Sequence, residues 1–490
     1  MDSVENMPVN EVGRIAGWID EAATERGAIT YLADARSPRR ITYRDLAAAV
    51  ADWDRRLTGT DVPRGATVVV ALTDPLDLAL TLLGLVATGR VAAPVDPTAA
   101  RALDRRTAEP DTVAIVTDDG LRRFTDRAPT MRRAGVLLSS SGSTGEPKQV
   151  LLTDAQLAYV ADAVAASHQF GPADIGYCPL PLYHVNAEVV GLLATLRAQG
   201  RLVLDRRFSR SRFWATVDDH QATWVNAVPA ILALLVEDGT TTRDPARIRF
   251  VRSASAPLPV PVLRRFEQVH HIPVLESYGM TEAASQITVN PLNGELRSGS
   301  VGRPVGSELK VVGEDRRELP AGEHGTILIR GPGVIRSYAT QVGAERFDAD
   351  GWLDTGDLGR MDEDGYVWLV GRSSELINRS GEKILPREIE DVLREDPGVR
   401  DAVVVGRPDP VLGEVPVAYV VASGHEAGLV ARLLDRCRAA LPRDRRPAEL
   451  TIVEQLPTSG TGKVLRAEVA EMVRVGSQAA APVGQPGSSP

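Results

Sequence analysis

The segment Ser139-Ser140-Ser141-Gly142-Ser143-Thr144-Gly145-Glu146-Pro147-Lys148 brings together glycines, hydroxyl side chains and one lysine directly after the apolar Val136-Leu137-Leu138. Glycine lets backbone N–H groups turn inward, Ser and Thr add donors, and Lys148 adds charge. Together these make an anion-binding nest suited to phosphate. It is not a Walker A loop, because Pro147 precedes the lysine and Gln149, not Ser or Thr, follows it.

Lysine is rare in this chain. Of 56 basic residues only Lys148, Lys310, Lys383 and Lys463 are lysine. A compact charge on a flexible stem differs physically from the planar fork of arginine. Lys310 lies in the strand-like Leu309-Lys310-Val311-Val312, whereas the other three sit in glycine-rich or loop–helix settings. Further polar segments are Pro181-Leu182-Tyr183-His184-Val185-Asn186, Ser253-Ala254-Ser255-Ala256-Pro257-Leu258, Glu276-Ser277-Tyr278-Gly279-Met280-Thr281-Glu282 and Asp354-Thr355-Gly356-Asp357. Gly371-Arg372, Ser380-Gly381-Glu382-Lys383 and Ser459-Gly460-Thr461-Gly462-Lys463 follow. Singly each has a bland reading: a structural histidine, turn aspartates, a loop.

Their order and spacing from Ile41 to Arg466 resemble the adenylate-forming superfamily, which includes acyl-CoA and aryl-CoA synthetases, peptide-synthetase adenylation domains and luciferases. The resemblance implies a two-step reaction. A carboxylate attacks the α-phosphate of ATP, giving an acyl-adenylate and pyrophosphate, and a thiol then displaces AMP. By position, Ser141, Gly142, Ser143, Thr144, Gly145 and Lys148 would hold the β- and γ-phosphates, and Thr281 would add a hydroxyl. Glu282 would bind Mg²⁺. Tyr278, within Glu276-Ser277-Tyr278-Gly279-Met280, would stack on adenine opposite Ser255, Ala256 and Pro257. Asp357 would take the ribose hydroxyls, with Arg372 nearby. Lys463 would bridge the carboxylate and α-phosphate oxygens. His184 would line or gate the acyl site, with Tyr183, Asn186, Val228, Ser285 and Gly302 forming its pocket. Ser380, Gly381, Glu382 and Lys383 would face the thiol acceptor, and Ser374 would lie in the hinge of a rotating small domain. Adenylyl transfer needs alignment and charge stabilisation more than covalent help, which suits these residue types. Serine at 374, where Asp or Lys is usual, and glutamine at 149, where glycine is usual, are departures that remove no catalytic group.

The stretches Thr223–Pro229, Phe250–Ala256 and Gly299–Pro304 look most like the oxalyl-CoA synthetase branch. That branch tends to carry histidines where this chain has Asn186 and Ser285. Small neutral residues there point away from oxalate itself and toward a small or hydroxylated acid rather than a long fatty chain. CoA is the first choice of acceptor. A carrier-protein phosphopantetheine, an amine, or activation of an oxyanion such as nitrite are alternatives. A non-catalytic nucleotide-binding homologue is a further one, against which the intact loop, Glu282, Asp357 and Lys463 argue.

These groups need a scaffold. Strand-like Val68–Leu72, a helix over Leu78–Thr88 and extended Val91–Val95 alternate, which predicts an α/β fold with parallel strands. Ile41–Asp45 leads into an Ala-rich helix, and Thr153-Asp154-Ala155-Gln156 reads as a capping box. Residues 299–371 are read as a β-rich subdomain. Pro386 suits the first turn of a helix bearing Ile389, Val392 and Leu393, with strands at Ala402–Val405 and Val415–Ala422. The expected organisation is a large N-terminal AMP-binding domain, 1–371, of α/β subdomains plus the β-rich one. A hinge at 372–376, a small mobile α+β lid domain at 377–475 and a disordered tail at 476–490 complete it.

Composition is consistent with this reading. At 490 residues, 43% hydrophobic and 25% charged, the chain is an ordinary globular one of two to four domains. A net charge of −9 disfavours nucleic acid and anionic membranes as partners. Two distant cysteines, Cys178 and Cys437, exclude a disulfide framework, and Cys437 falls on an apolar helical stripe. The longest apolar run, Leu78–Gly89, is short of the roughly 20 residues of a membrane span. The acidic start lacks signal-peptide character, so the expected compartment is the cytoplasm.

Overall fold

The structure is a computed structural model, and it describes residues 13–140, 148–237, 239–340, 343–424, 428–458 and 464–479. The chain divides into two compact units. The first takes in the described residues of Met1–Lys310, Leu328–Thr355 and Met361–Trp368, and the second those of Val311–Ile327, Gly356–Arg360 and Leu369–Pro490.

The first unit carries two α/β sheets. A six-stranded sheet runs in the order Gly120–Arg123, Thr112–Thr117, Thr67–Ala71, Val91–Pro94, Gly135–Ser140, Lys148–Thr153. Its central pairings are parallel and its two edge pairings antiparallel. A nine-stranded sheet runs Arg303–Pro304, Thr288–Val289, Val274–Tyr278, Phe250–Ser253, Trp224–Ala227, Ile175–Cys178, Arg201–Leu204, Thr30–Asp34, Arg40–Thr42. The pairings from Val274–Tyr278 through to Thr30–Asp34 are all parallel. Helices must therefore cover both faces, and the near-continuous Val, Leu and Ile runs supply that burial. Thr67–Ala71 is buried throughout, and one core joins the helices and both sheets.

Local chemistry sets the helix starts. Thr42 and Thr153 both form complete capping boxes, with Asp45 and Gln156 respectively. The helix expected at Leu78–Thr88 begins earlier and spans Pro75–Ala87. The Asp74 side chain accepts from the backbone N–H groups of Leu76 and Asp77, and Pro75 takes the first helical position, where its missing N–H is not needed.

Residues 299–371 are rich in strand as expected, but the two units divide this stretch between them. Strands occupy Arg303–Pro304, Glu308–Val312, Gly325–Arg330, Leu353–Met361 and Val367–Arg372. Lys310 packs its ammonium 4.1 Å from the centroid of the Trp352 ring, a structural use of that lysine.

In the second unit, Val399–Asp409 and Gly413–Ala422 form a long antiparallel hairpin. Glu449–Val453 lies parallel to Gly413–Ala422, and Ile377–Arg379 and Glu382–Ile384 complete the sheet. Helices Pro386–Arg394 and Leu429–Ala440 pack on it, with Cys437 in the core. Arg466 ties the start of the last helix to Glu390 and, at 3.2 Å, to Glu375. That helix, Arg466–Ala479, carries the chain four residues into the segment read as a tail, and 480–490 lie outside the described residues. Among the described residues no helix is long and apolar enough to cross a membrane.

Candidate active site

The predicted functional segments follow the carboxyl ends of adjacent parallel strands: 180–186 after Ile175–Cys178, Val228 after Trp224–Ala227, 254–257 after Phe250–Ser253, and 279–285 after Val274–Tyr278. Parallel α/β sheets place ligands at that edge. The Gly-rich segment is the connection of an antiparallel hairpin. Ser140 pairs with Lys148, so both ends of the loop are pinned, while Ser141, Gly142, Ser143, Thr144 and Gly145 lie outside the described residues.

Lys148 sits at the base of that loop with its ammonium 5.1 Å from the centroid of the Tyr338 ring. The Tyr338 hydroxyl donates to Glu282 Oε1 at 2.9 Å. Arg346 Nη1 donates to the Tyr338 hydroxyl at 2.8 Å and to Glu282 Oε1 at 3.3 Å, and Arg346 Nε holds the Asp354 carbonyl at 2.8 Å. Lys148, Tyr338, Glu282 and Arg346 thus form one cluster. Burial, with the Glu282 carboxylate alongside, raises the Tyr338 pKa, so the hydroxyl keeps its proton and remains a donor. Tyr338 and Arg346 were not legible as site residues: neither lies in a recognisable motif, and only the fold brings them to Glu282.

Glu282 is presented by a tight turn. The Val274–Tyr278 strand returns through Thr281–Ala283 to pair antiparallel with Thr288–Val289. Ser285 N–H closes the turn on the Met280 carbonyl at 3.1 Å, with Ala284 and Ser285 at φ 48° and 95°. Gly279 and Gly302 are required by space. A Cβ on Gly279 would lie 1.3 Å from the Ser285 oxygen, and one on Gly302 (φ +84°) 1.9 Å from the Val289 carbonyl carbon. Gly302→Ala is therefore expected to lower stability by at least about 2 kcal/mol, through strained backbone and overpacking. A chemical unfolding curve superimposable on that of the parent would refute this.

Asn186, one of the residues expected at the acyl pocket, belongs to a buried polar network around Arg252. Arg252 Nη1 donates to Asn186 Oδ1 at 2.9 Å and Nη2 to Ser277 Oγ at 2.8 Å, and Asn226 Nδ2 also donates to Asn186 Oδ1 at 3.3 Å. Asn186 Nδ2 then donates to Ser255 Oγ at 3.2 Å. Ser255 itself is exposed, with φ +74°. Asn186 opens a π-helical segment, Asn186–Leu193. Burial pulls the Arg252 pKa down to about 9, which leaves it a cation at neutral pH. Arg252 and Asn226 are further residues that motif reading did not single out; both sit inside fully buried strands.

The remaining predicted residues form separate groups. The Tyr183 hydroxyl donates to Asp96 Oδ2 at 3.1 Å and its ring stands 4.9 Å from that of the exposed His184. Val228, Ser277, Tyr278 and Ser285 are buried, and Glu276 accepts from Leu258 N–H, bracing the Ser253–Leu258 turn. Thr281, Gly279, Met280 and Ala256 are half-buried, and Pro257 is exposed. Within the second unit, Arg372 Nε donates to Asp357 Oδ1 at 2.9 Å. Ser374 lies in the short helix Ser373–Glu375. Lys383 pairs with Glu314 at 2.5 Å, beside Ser380 and Gly381 at φ 51° and 92°. Glu382 is exposed. Lys463 lies outside the described residues; Thr458 and Val464, which flank 459–463, form an antiparallel bridge.

Comparison with known proteins bears on the whole arrangement. Residues 104–339 match the model of the AMP-binding enzymes, and 388–463 match that of the AMP-binding enzyme C-terminal domain. The chain is 44% identical to the sulfoacetate–CoA ligase of Cupriavidus necator over 68% of its own length and 65% of that protein. It is 36% identical to the oxalate–CoA ligase of Arabidopsis thaliana over 69% of this chain and 67% of that one. Its structure superimposes on o-succinylbenzoate CoA synthetase from Bacillus subtilis, solved with its acyl-adenylate intermediate, with a TM-score of 0.81, 27% identity and coverage of 92% and 97%. The chain belongs to the AMP-binding enzymes, the adenylate-forming superfamily. The match spans about two thirds of the length of the curated relatives above.

Proposed function

We propose that this protein activates a small carboxylic acid with ATP and passes the acyl group to the thiol of CoA. The carboxylate oxygen bonds to the α-phosphorus as the bond to pyrophosphate breaks. The thiol sulfur then bonds to the acyl carbon as AMP leaves. The observation that carries this reading is the cluster of Lys148, Tyr338, Glu282 and Arg346, with Lys148 opening the Lys148–Thr153 strand that follows the Gly-rich segment in sequence. A polyphosphate and its counterion would need cations and a carboxylate of this kind, which is why the cluster supports the reading.

Among the described residues no group of three or more His, Cys, Asp and Glu side chains is poised for a metal. One carboxylate fits magnesium, which takes few protein ligands and completes its shell with phosphate oxygens and water. Glu282 would hold it, and the ion would supply charge neutralisation at the phosphates. Asp357, held by Arg372, would accept from the ribose hydroxyls.

Pyrophosphate release measured over acetate, propionate, oxalate, malonate and sulfoacetate, with and without CoA, tests the reading. Acid-dependent release together with CoA-dependent thioester is expected. Release without thioester would reassign the acceptor to a carrier-protein phosphopantetheine or a non-thiol nucleophile, and no release with any acid would refute adenylation. Gly381 bears on the second step. Its φ is +92° and nothing lies within 4 Å of a Cβ there, so a leucine would project into open space. Gly381→Leu is expected to lower thioester yield by about tenfold more than pyrophosphate exchange, because bulk at a close-approach glycine obstructs a passing pantetheine arm. Equal losses in both assays would remove this loop from the acceptor path.

A further inference from the structure

Arg252 is 1% exposed, and among the described residues it has no carboxylate partner. Its bonds go to Asn186, Asn226 and Ser277, all neutral, and its Nε makes none. A buried guanidinium without a counterion is costly to keep. The strand register explains how it arises. Arg252 is level with Asn226 on one neighbour and Leu275 on the other, so Ser277 shares its face, while Glu276, one residue along, projects to the opposite face. Glu188, on the segment that covers this face, makes no bond to Arg252 either. It lines a small apolar cavity with Ile15, Leu82, Val136 and Leu157, and burial pushes its carboxyl up to about 8.

The cation is connected to the surface by one side chain. Arginine only donates, so the Asn186 atom that receives Arg252 Nη1 is the amide oxygen, and the Asn186 NH₂ is forced to face Ser255. Ser255 is exposed and lies just beyond the carboxyl end of the Phe250–Ser253 strand. Buried cation, amide and exposed hydroxyl thus form a hydrogen-bonded chain, each group polarising the next. From residues 186 and 285 alone the pocket wall reads as neutral, but the fold puts a positive charge directly behind it.

We infer that Arg252, acting through Asn186, selects an acid that carries a second anionic group, a carboxylate or a sulfonate, docked on the Asn186 amide and the Ser255 hydroxyl. This rests on the acid-activating reading above. Arg252 is then a positioning residue: it fixes the amide orientation and provides the missing half of a charge pair that the substrate completes.

The test is a ratio. Values of kcat/KM for acid-dependent pyrophosphate release are measured for malonate against propionate and for sulfoacetate against propionate, in the parent and in Arg252→Gln, Arg252→Lys and Asn186→Ala. The parent is expected to prefer the second anion. Arg252→Gln and Asn186→Ala should each reduce that preference by about tenfold or more, with lysine retaining part of it because the charge remains. A purely structural role would lower all acids together and leave the ratio unmoved. The malonate and sulfoacetate arms separate a carboxylate from a sulfonate as the second anion. Should Arg252→Gln not fold by circular dichroism, Asn186→Ala, which leaves the buried cation in place, decides the matter. A parent that uses propionate as well as either dianion, or an unchanged ratio in Asn186→Ala, overturns the inference while leaving adenylation standing. No release with any acid overturns the adenylation reading itself.

Discussion

Glu282→Ala is expected to lower acid-dependent pyrophosphate release by about 10²-fold or more, the scale of losing one preorganised electrostatic group or metal-holding contact. Glu282 is 4% exposed and is the only carboxylate bonded to Tyr338 and Arg346 among the described residues. Removing it leaves Arg346 with the Tyr338 hydroxyl and the Asp354 carbonyl, at 2.8 Å each. The Arg346 side chain is 20% exposed, so water takes up part of the uncompensated charge and the fold should survive. Glu282→Gln isolates the chemistry. The amide oxygen still accepts from Tyr338 and Arg346, but the negative charge is gone. The glutamine variant is therefore expected to need several-fold more magnesium for half-maximal pyrophosphate release, with an unfolding midpoint near that of the parent. A magnesium titration that superimposes on the parent's would strip Glu282 of the metal role. The cluster would then be structural, with Arg346 neutralising Glu282 at all times.

Lys463→Ala is expected to reduce adenylate formation by about 10²- to 10³-fold while ATP binding and stability stay close to those of the parent. Two facts motivate this. Lysine is kept here in a chain that otherwise uses arginine almost everywhere, and the Ser459-Gly460-Thr461-Gly462 run before it has almost no side-chain bulk to pack. The base of the loop is held independently. Thr458 bridges Val464, and Arg466, three residues beyond Lys463, is anchored to Glu390 and Glu375. These flanking contacts do not involve the Lys463 side chain, so its removal should leave them in place. Lys463→Arg should also be poor, since a planar fork does not replace a compact ammonium. Equilibrium ATP binding and acid-dependent pyrophosphate exchange on one preparation check both halves of the prediction. Full exchange by Lys463→Ala would cancel the assignment.

Much of this protein is legible in the residue order. The capping boxes at Thr42 and Thr153, the all-valine strand centre at 68–70 and the proline-started helix at Pro386 are local signals, and their physics is complete within a few residues. The Gly-rich loop, the Tyr278–Glu282 segment and the Gly-Thr-Gly-Lys run are likewise contiguous, so their chemistry reads from adjacent side chains. What the sequence could not supply are partnerships made across distance. Arg346 reaches Glu282 across 64 positions, and Arg252 reaches Asn186 across 66. Arg252 sits in Phe250–Ser253, a strand whose apolar neighbours mark it as core. Whether such an arginine is neutralised by a carboxylate or left as an uncompensated cation depends on which face each neighbouring strand turns toward it. A shift of one residue in register would have delivered Glu276 instead of Ser277. Residue types and spacing carry the family resemblance, whereas strand register, a property of the assembled sheet, decides which side chains surround Arg252.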